Sequence, residues 1–306
     1  MSAAPGRPKQ AQPPRGAATT RSAERRGTDI SAAPGRPKQA RSEAGGEGTS
    51  ISVGGSIVLY HAWASTCSQK VRLALAEKGL PWEGRVVNLR AFEQVTPEFL
   101  ALNPDAMVPV LLHDGLVLRE SSVINDYLDE VFPEPPLRMP GARGRALVGM
   151  WSRFIDDVVS PAIKKPSFAA NMRPYLQTLP AGYVETMARR MPSPAIGERW
   201  RQAAEEGIPP HEVEQSHAEL RRTLARMDDA LAAGGEWLAG PQYTLADINM
   251  APFIVRIDDL PGYDLARDWP RVADWLARLK ARPAFGAAQF VEQRAPSADE
   301  PQKAPA

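Results

Sequence analysis

The chain has 306 residues, a formal net charge of +1, 30 prolines and one cysteine. Near-zero charge gives no electrostatic case for nucleic acid or an anionic membrane as partner. The lone Cys67 excludes an internal disulfide and a thiolate zinc cluster and fits a reducing, cytoplasmic setting, and no apolar run reaches the roughly 20 residues of a membrane span.

Residues 1–55 are rich in Pro, Gly, Ala, Ser and Arg and almost free of large apolar side chains. Such a stretch cannot bury enough surface to offset its ordering entropy, so disordered tails are expected at 1–55 and at 293–306. The run Ser-Ala-Ala-Pro-Gly-Arg-Pro-Lys-Gln-Ala occurs at Ser2–Ala11 and again at Ser31–Ala40. Two copies this rich in Pro and Gly make no solenoid. No apolar core of a secretory signal is present in the segment.

Residues 56–132 read as one domain. Ile57–Ala62 is a short apolar run of buried-strand type, and Trp63–Ser68 is a loop of small polar residues. Gln69–Lys78 has helical spacing, with Val71, Ala74 and Leu75 on one face and Gly79 as its stop. Glu83–Leu89 predicts a second strand and Phe92–Leu102 a helical stretch. Val108-Pro109 then heads a strand, Asp114-Gly115 supplies a two-residue hairpin turn, and Glu120-Ser121 closes the second arm. Ser122–Val131 follows as a helix with Val123, Ile124, Tyr127 and Leu128 facing inward. The order β-α-β-α-β-β-α predicts a mixed sheet with helices on its faces, parallel at its first link and antiparallel at its last.

A proline-dense linker occupies 133–143, and residues 144–292 read as all-α. Leu147, Met150, Trp151, Phe154 and Ile155 recur at helical spacing; His217–Ala232 and Trp269–Lys280 do the same. Thr244-Leu245-Ala246-Asp247 has the form of a capping box. Between them lies Pro161–Pro210, whose prolines at 161, 166, 174, 180, 192 and 194 are expected to prevent one continuous helix. Its aromatic and methionine side chains either line a pocket or dimer contact or pack onto the bundle.

Three elements carry chemistry. The loop Ser65–Ser68 opens a helix, where amides favour an anion and a hydroxyl can donate to a thiolate. Val108-Pro109, a bond that proline allows to be cis, offers strand-type main-chain bonds to a peptide. Glu120-Ser121 sets a carboxylate for an ammonium and a hydroxyl for a carboxylate. The ligand that satisfies all three is a short, doubly charged, thiol-bearing peptide. Asp156 and Asp157 are adjacent, point about 100° apart on a helix and form no catalytic pair. His61, His113, His211 and His217 show no i, i+4 pairing, so no metal is expected.

From Ile57 to about Phe290 the sequence resembles the cytosolic glutathione S-transferases. The matching residues are Tyr60, Ser65-Thr66-Cys67-Ser68 with Val71-Arg72-Leu73-Ala74-Leu75, Leu102-Asn103-Pro104, Val108-Pro109, Glu120-Ser121 and Thr244-Leu245-Ala246-Asp247-Ile248. The resemblance implies an α/β thioredoxin-like N-terminal domain followed by an all-helical C-terminal domain, commonly a homodimer. It implies glutathione as co-substrate, with a cis Val108-Pro109 whose valine backbone pairs with the cysteinyl part, and Glu120 and Ser121 on the γ-glutamyl end. For the catalytic position it points to Ser65 first, then Cys67, then Ser68. Tyr60, at the strand end, is expected to pack. Met107 stands where the family often has Gln or Lys, which removes one side-chain contact to glutathione.

Residues 120–134 and the insert after Lys165 resemble the bacterial glutathione-dependent β-etherases, which displace an aryloxy group from lignin-type ethers. An electrophile with two rings would suit Trp63, Trp151, Phe154, Phe168 and Tyr175 if these lined one pocket. The alternatives within the resemblance are a glutathione-dependent isomerase, a thiol-disulfide reductase working through Cys67, and a non-catalytic glutathione-binding module. The partners expected are glutathione and a hydrophobic or aromatic electrophile, with neither nucleic acid nor membrane involved.

Overall fold

In the computed structural model, which describes residues 55–288, strand β1 (Ile57–His61) sends alternate side chains to opposite faces. Its neighbours are β2 (Glu83–Val86), parallel, and β3 (Val110–His113), antiparallel; β4 (Leu116–Leu118) pairs antiparallel with β3, giving the order β2-β1-β3-β4. Ile57, Leu59 and Leu111 face helices α1 (Thr66–Glu77) and α3 (Ser121–Val131), packing on Val71, Leu75, Ile124 and Leu128. Tyr60 and Val110 face the other way, toward Phe99 on α2 (Pro97–Leu102). Both faces of the sheet are covered, as a thioredoxin-like mixed sheet requires.

The hairpin turn is the two-residue type expected, with φ of 48° at Asp114 and 79° at Gly115. Three local expectations shift. α1 begins at Thr66 rather than Gln69, because Ser65 caps it. The stretch expected as one helix from Phe92 divides into a 3-10 turn (Glu93–Val95) and α2, with Thr96 capping α2 ahead of Pro97. Val123 is 52% exposed instead of facing the core. Past α3 the linker is tied down by Lys78, whose Nζ donates to the Phe132 and Pro135 carbonyls and pairs with Asp129 at 2.7 Å.

The helical half opens with α4 (Gly141–Phe154), a π-helical turn (Ile155–Val159), α5 (Ser160–Ser167), a second π turn (Phe168–Met172) and α6 (Arg173–Leu176). These join end to end, so the helix runs through Pro161, Pro166 and Pro174, contrary to the expected interruption. The π turns account for two of them. At Ser160 and Arg173 the amides bond the carbonyls five residues back, Ile155 and Phe168, so the ladder changes register just before a residue that lacks an N–H. The helix ends only after Leu176.

The rest of the insert forms α7 (Tyr183–Ala188) and α8 (Pro194–Glu205). Its Tyr183, Met187, Met191 and Trp200 pack with Phe168, Met172 and Tyr175 around Phe92 and Val95 of the sheet domain. The insert therefore buries its own aromatics on the loop ahead of α2. Next come α9 (Pro210–Ala232), α10 (Leu245–Asp258), α11 (Leu265–Asp268), α12 (Pro270–Lys280) and α13 (Pro283–Ala287). α10 is apolar nearly all round and lies in the middle of the core, against Leu73 and Ala74 of α1, Leu224 of α9 and Trp275 of α12.

The capping box at Thr244 and Asp247 is present. The Asp247 carboxylate also accepts from Leu238 N and Trp275 Nε1, each at 2.9 Å. Burial pushes its pKa up to about 6. The tails expected at 1–55 and 293–306 lie outside the described residues, except for Gly55. Among the described residues no helix is long and apolar enough to cross a membrane.

Candidate functional site

The register of the sheet gathers three loops at one end. β1 ends there, β3 begins there with Tyr60 opposite Val110, and β4 ends there with Leu118 opposite Leu111. The loop before Ser65, the Val108-Pro109 bond and the Glu120-Ser121 pair therefore share that end. Val108-Pro109 is cis. Its approach is held by Asn103, whose Nδ2 donates to the Met107 carbonyl at 2.7 Å, and Met107 itself is exposed.

The loop leading to Ser65 has every carbonyl occupied. Ala62 O accepts from Arg72 and from the Ser65 amide, each at 3.2 Å. Trp63 O accepts from Arg72 at 3.1 Å and Gln69 Nε2 at 3.2 Å. Ala64 O accepts from Arg256 of α10 at 3.0 Å. Arg72 is 1% exposed, and burial lowers its pKa to about 9, which leaves it charged at neutral pH. It also donates to Ala288 O and lies 3.3 Å from His61 Nδ1. Burial, and secondarily the Arg72 charge, lower the His61 pKa to about 3. Beside an obligatory donor, the neutral ring presents the Nδ1 lone pair.

Ser65, half-buried, is the N-cap of α1, its Oγ accepting from Ser68 N at 3.2 Å. Capping uses a lone pair and leaves the hydroxyl hydrogen free to donate outward. Cys67 is half-buried, with its side chain against the helical core. Ser68 is fully buried and its Oγ accepts from Ala62 N at 3.3 Å, so it faces into the loop. Glu120 is exposed with φ of 64°, a conformation that strains a non-glycine residue and recurs at ligand sites. Ser121 is buried at the first position of α3, which has no acidic residue in its first turn and no side-chain cap.

The five aromatics considered as one electrophile pocket do not converge. Trp151 is buried in the helical core with Nε1 donating to Leu238 O. Phe168 and Tyr175 belong to the insert. Phe154 lies under the Arg226 guanidinium, 4.0 Å from ring centroid to Cζ, and lines a shallow depression of about 530 Å³ with Met150 and Arg153. Trp63 instead lines a cleft of about 1030 Å³ along β2, with Tyr60, Trp82 and Phe99.

Sequence reasoning missed Lys70, Arg72 and Arg256 as site supports. The available signal was two cations, Lys70 and Arg72, inside a helix whose residues from Ser68 to Leu75 are all buried. Such a helix needs internal acceptors for its charges.

Residues 64–131 match the family model of the glutathione S-transferase N-terminal domain, and 210–278 that of the C-terminal domain. Protein LigF of Sphingobium sp. is 31% identical over 239 residues, 75% of this chain and 91% of that protein. The crystal structure of the β-etherase LigF has a TM-score of 0.71 at 29% identity, covering 76% of this chain and 98% of that one. A probable maleylacetoacetate isomerase of Vibrio cholerae is 28% identical over 245 residues, 79% of this chain and 99% of that protein.

Proposed function

The chain belongs to the glutathione S-transferase family, and on that premise we propose that it uses a glutathione thiolate held at Ser65 to cleave a β-aryl ether. The observation that carries this reading is the pinned Ala62–Ser65 loop, which holds a capping serine at the α1 N-terminus, on the same end of the sheet as the cis Val108-Pro109 bond. Similarity to LigF over most of both chains supports the substrate class.

The Ser65 hydroxyl and the α1 amides stabilise the thiolate. The main chain of Val108 pairs with the cysteinyl unit, Glu120 takes the γ-glutamyl ammonium, and Ser121 with the α3 amides takes its carboxylate. The sulfur attacks the β-carbon; a C–S bond forms as the C–O bond breaks, and the aryloxide leaves to take a proton from water. Cys67, turned to the core, and Ser68, bonded inward, stand behind Ser65 as thiolate partners. The linker 133–143 is read as dividing the glutathione domain from the electrophile domain. The protein is read as a cytoplasmic homodimer, its contact made by exposed Leu116 and Val117 of β4, Val123 of α3, and Leu147 and Met150 of α4.

The experiment is glutathione-dependent turnover of a panel that includes a β-aryl ether ketone, with Ser65→Ala and Cys67→Ala. Loss in Ser65→Ala alone supports the assignment; loss only in Cys67→Ala overturns it in favour of redox chemistry. A second reading, glutathione-dependent isomerisation, is favoured by the similarity to the Vibrio cholerae isomerase. It predicts that glutathione is regenerated, whereas ether cleavage consumes one glutathione per aryloxide released.

A further inference from the structure

We propose that Lys70 is a positioning residue of the glutathione cleft, setting the potential at the first turn of α3 where the γ-glutamyl carboxylate docks. The inference rests on the reading of Glu120-Ser121 as the γ-glutamyl site.

Lys70 lies on α1 with its side chain 0% exposed. Its Nζ is 2.6 Å from Ser122 Oγ, the residue after Ser121, and 2.9 Å from Asp156 Oδ1 on the π turn after α4. Its own carbonyl accepts from Asn125 Nδ2, which also donates to Asn249 on α10, so the segment is fixed to both halves of the molecule. A buried cation is costly unless an anion compensates it. Asp156 is the anion present, but its side chain is 43% exposed and water screens it. The first turn of α3 holds no acidic residue, its N-cap Glu120 is exposed to water, and the unpaired amides of that turn add their positive potential to the Lys70 charge that reaches Ser122. A ligand carboxylate at Ser121 completes the compensation, so Lys70 acts through Ser122 and the helix terminus without touching the peptide.

The test compares glutathione with γ-aminobutyryl-cysteinylglycine, which lacks only the α-carboxylate, in wild type, Lys70→Arg, Lys70→Met and Asp156→Asn. Lys70→Met is expected to raise KM for glutathione about tenfold while leaving KM for the analogue and kcat for both nearly unchanged; Lys70→Arg restores the preference. Asp156→Asn, accessible even if Lys70→Met fails to fold, is expected to lower KM for glutathione relative to the analogue, because the competing anion is gone and the Lys70 charge remains. Equal shifts for both peptides in Lys70→Met, or a KM raised for both in Asp156→Asn, overturn the role of Lys70. A wild type that does not prefer glutathione to the analogue instead overturns the γ-glutamyl reading of Glu120-Ser121, and the inference with it.

Discussion

The Arg72 guanidinium donates to the Trp63 carbonyl at 3.1 Å and lies over the Trp63 ring at 4.8 Å, so one buried side chain fixes the segment before Ser65 by main chain and by ring. The same group reaches Ala62 O and Ala288 O, joining the β1–α1 loop to the end of the described chain. Arg72→Met would leave these acceptors short of donors while removing a buried charge. The net loss of stability is expected to be about 3 kcal/mol, read as a lower urea midpoint at constant m. Arg72→Lys should recover little of it, since one ammonium cannot span three carbonyls. Under conditions where the variant stays folded, glutathione-dependent kcat should fall more than tenfold, because the Ser65 loop is no longer located.

His61 supplies a pH dependence of its own. Its pKa is 6.5 when unperturbed and about 3 in the folded chain, so between those values the unfolded chain binds a proton that the native chain does not. Unfolding then takes up a proton at this ring, and the His61 contribution to stability falls as pH drops through 6.5 toward 3, by about 1.4 kcal/mol per unit, while the raised pKa of Asp247 contributes the opposite slope below about 6. His61→Gln keeps an acceptor for Arg72 without a titrating ring. Its unfolding free energy should fall more gently than that of wild type between pH 6.5 and 4.5; parallel curves would mean that the buried ring is not what titrates.

Much of this architecture is readable in the residues themselves. The βαβαββα order, the Asp114-Gly115 turn and the Thr244–Asp247 capping box are local signals, each set by a spacing or by a residue with a special φ. The cis Val108-Pro109 bond and the Glu120-Ser121 pair were legible through family resemblance. The unbroken helix through Pro161 and Pro174 was not, because a π turn is a change of hydrogen-bond register that leaves no compositional trace. Nor were the supports at Lys70, Arg72 and Arg256, whose partners Asp156, Ala288 and Ala64 lie far away in sequence. The insert aromatics were legible as a cluster, but which surface they cover was decided by Phe92, a residue of the other domain.

Ser65 caps α1, and one substitution can separate that cap from its proposed role as thiolate donor. Ser65→Ala removes the cap on α1 as well as the hydroxyl donor, with about 1 kcal/mol of stability attached to the cap. Aspartate caps as well as serine but donates nothing and opposes a thiolate. Ser65→Asp should therefore melt within a degree or two of wild type while losing at least a hundredfold in kcat/KM. A Ser65→Asp enzyme that keeps its activity would remove Ser65 from the chemistry and return the question to Cys67.

The exposed apolar side chains on β4, α3 and α4 bear on assembly. Met150 is 60% exposed and Val123 52%, the two highest values among the large apolar side chains of the described residues. If these residues form the dimer contact, Val123→Lys with Met150→Lys places two desolvated cations per subunit in it. Light scattering should then give the mass of one chain where wild type gives two, with glutathione binding at the individual site preserved.

Phe92 carries a conformational cost that can be measured against its packing. Its φ is 59°, a region that a Cβ disfavours, yet its ring is 2% exposed, set edge-on to Trp200 at 4.9 Å and Tyr183 at 5.9 Å. Burying a phenylalanine stabilises by about 2–3 kcal/mol and aromatic contacts add to it, which offsets about 1–2 kcal/mol of backbone strain. Phe92→Ala removes the ring and keeps the strain, so a loss of about 3 kcal/mol is expected. Phe92→Gly removes both, since glycine adopts positive φ freely. The glycine variant should be about 1 kcal/mol more stable than the alanine variant, the reverse of the usual order. Both variants should open the insert at 173–206 to limited proteolysis, because its rings lose the residue around which they pack. If alanine proves more stable than glycine, the positive φ at Phe92 is not maintained in solution and the aromatic contact alone holds the insert to the sheet domain.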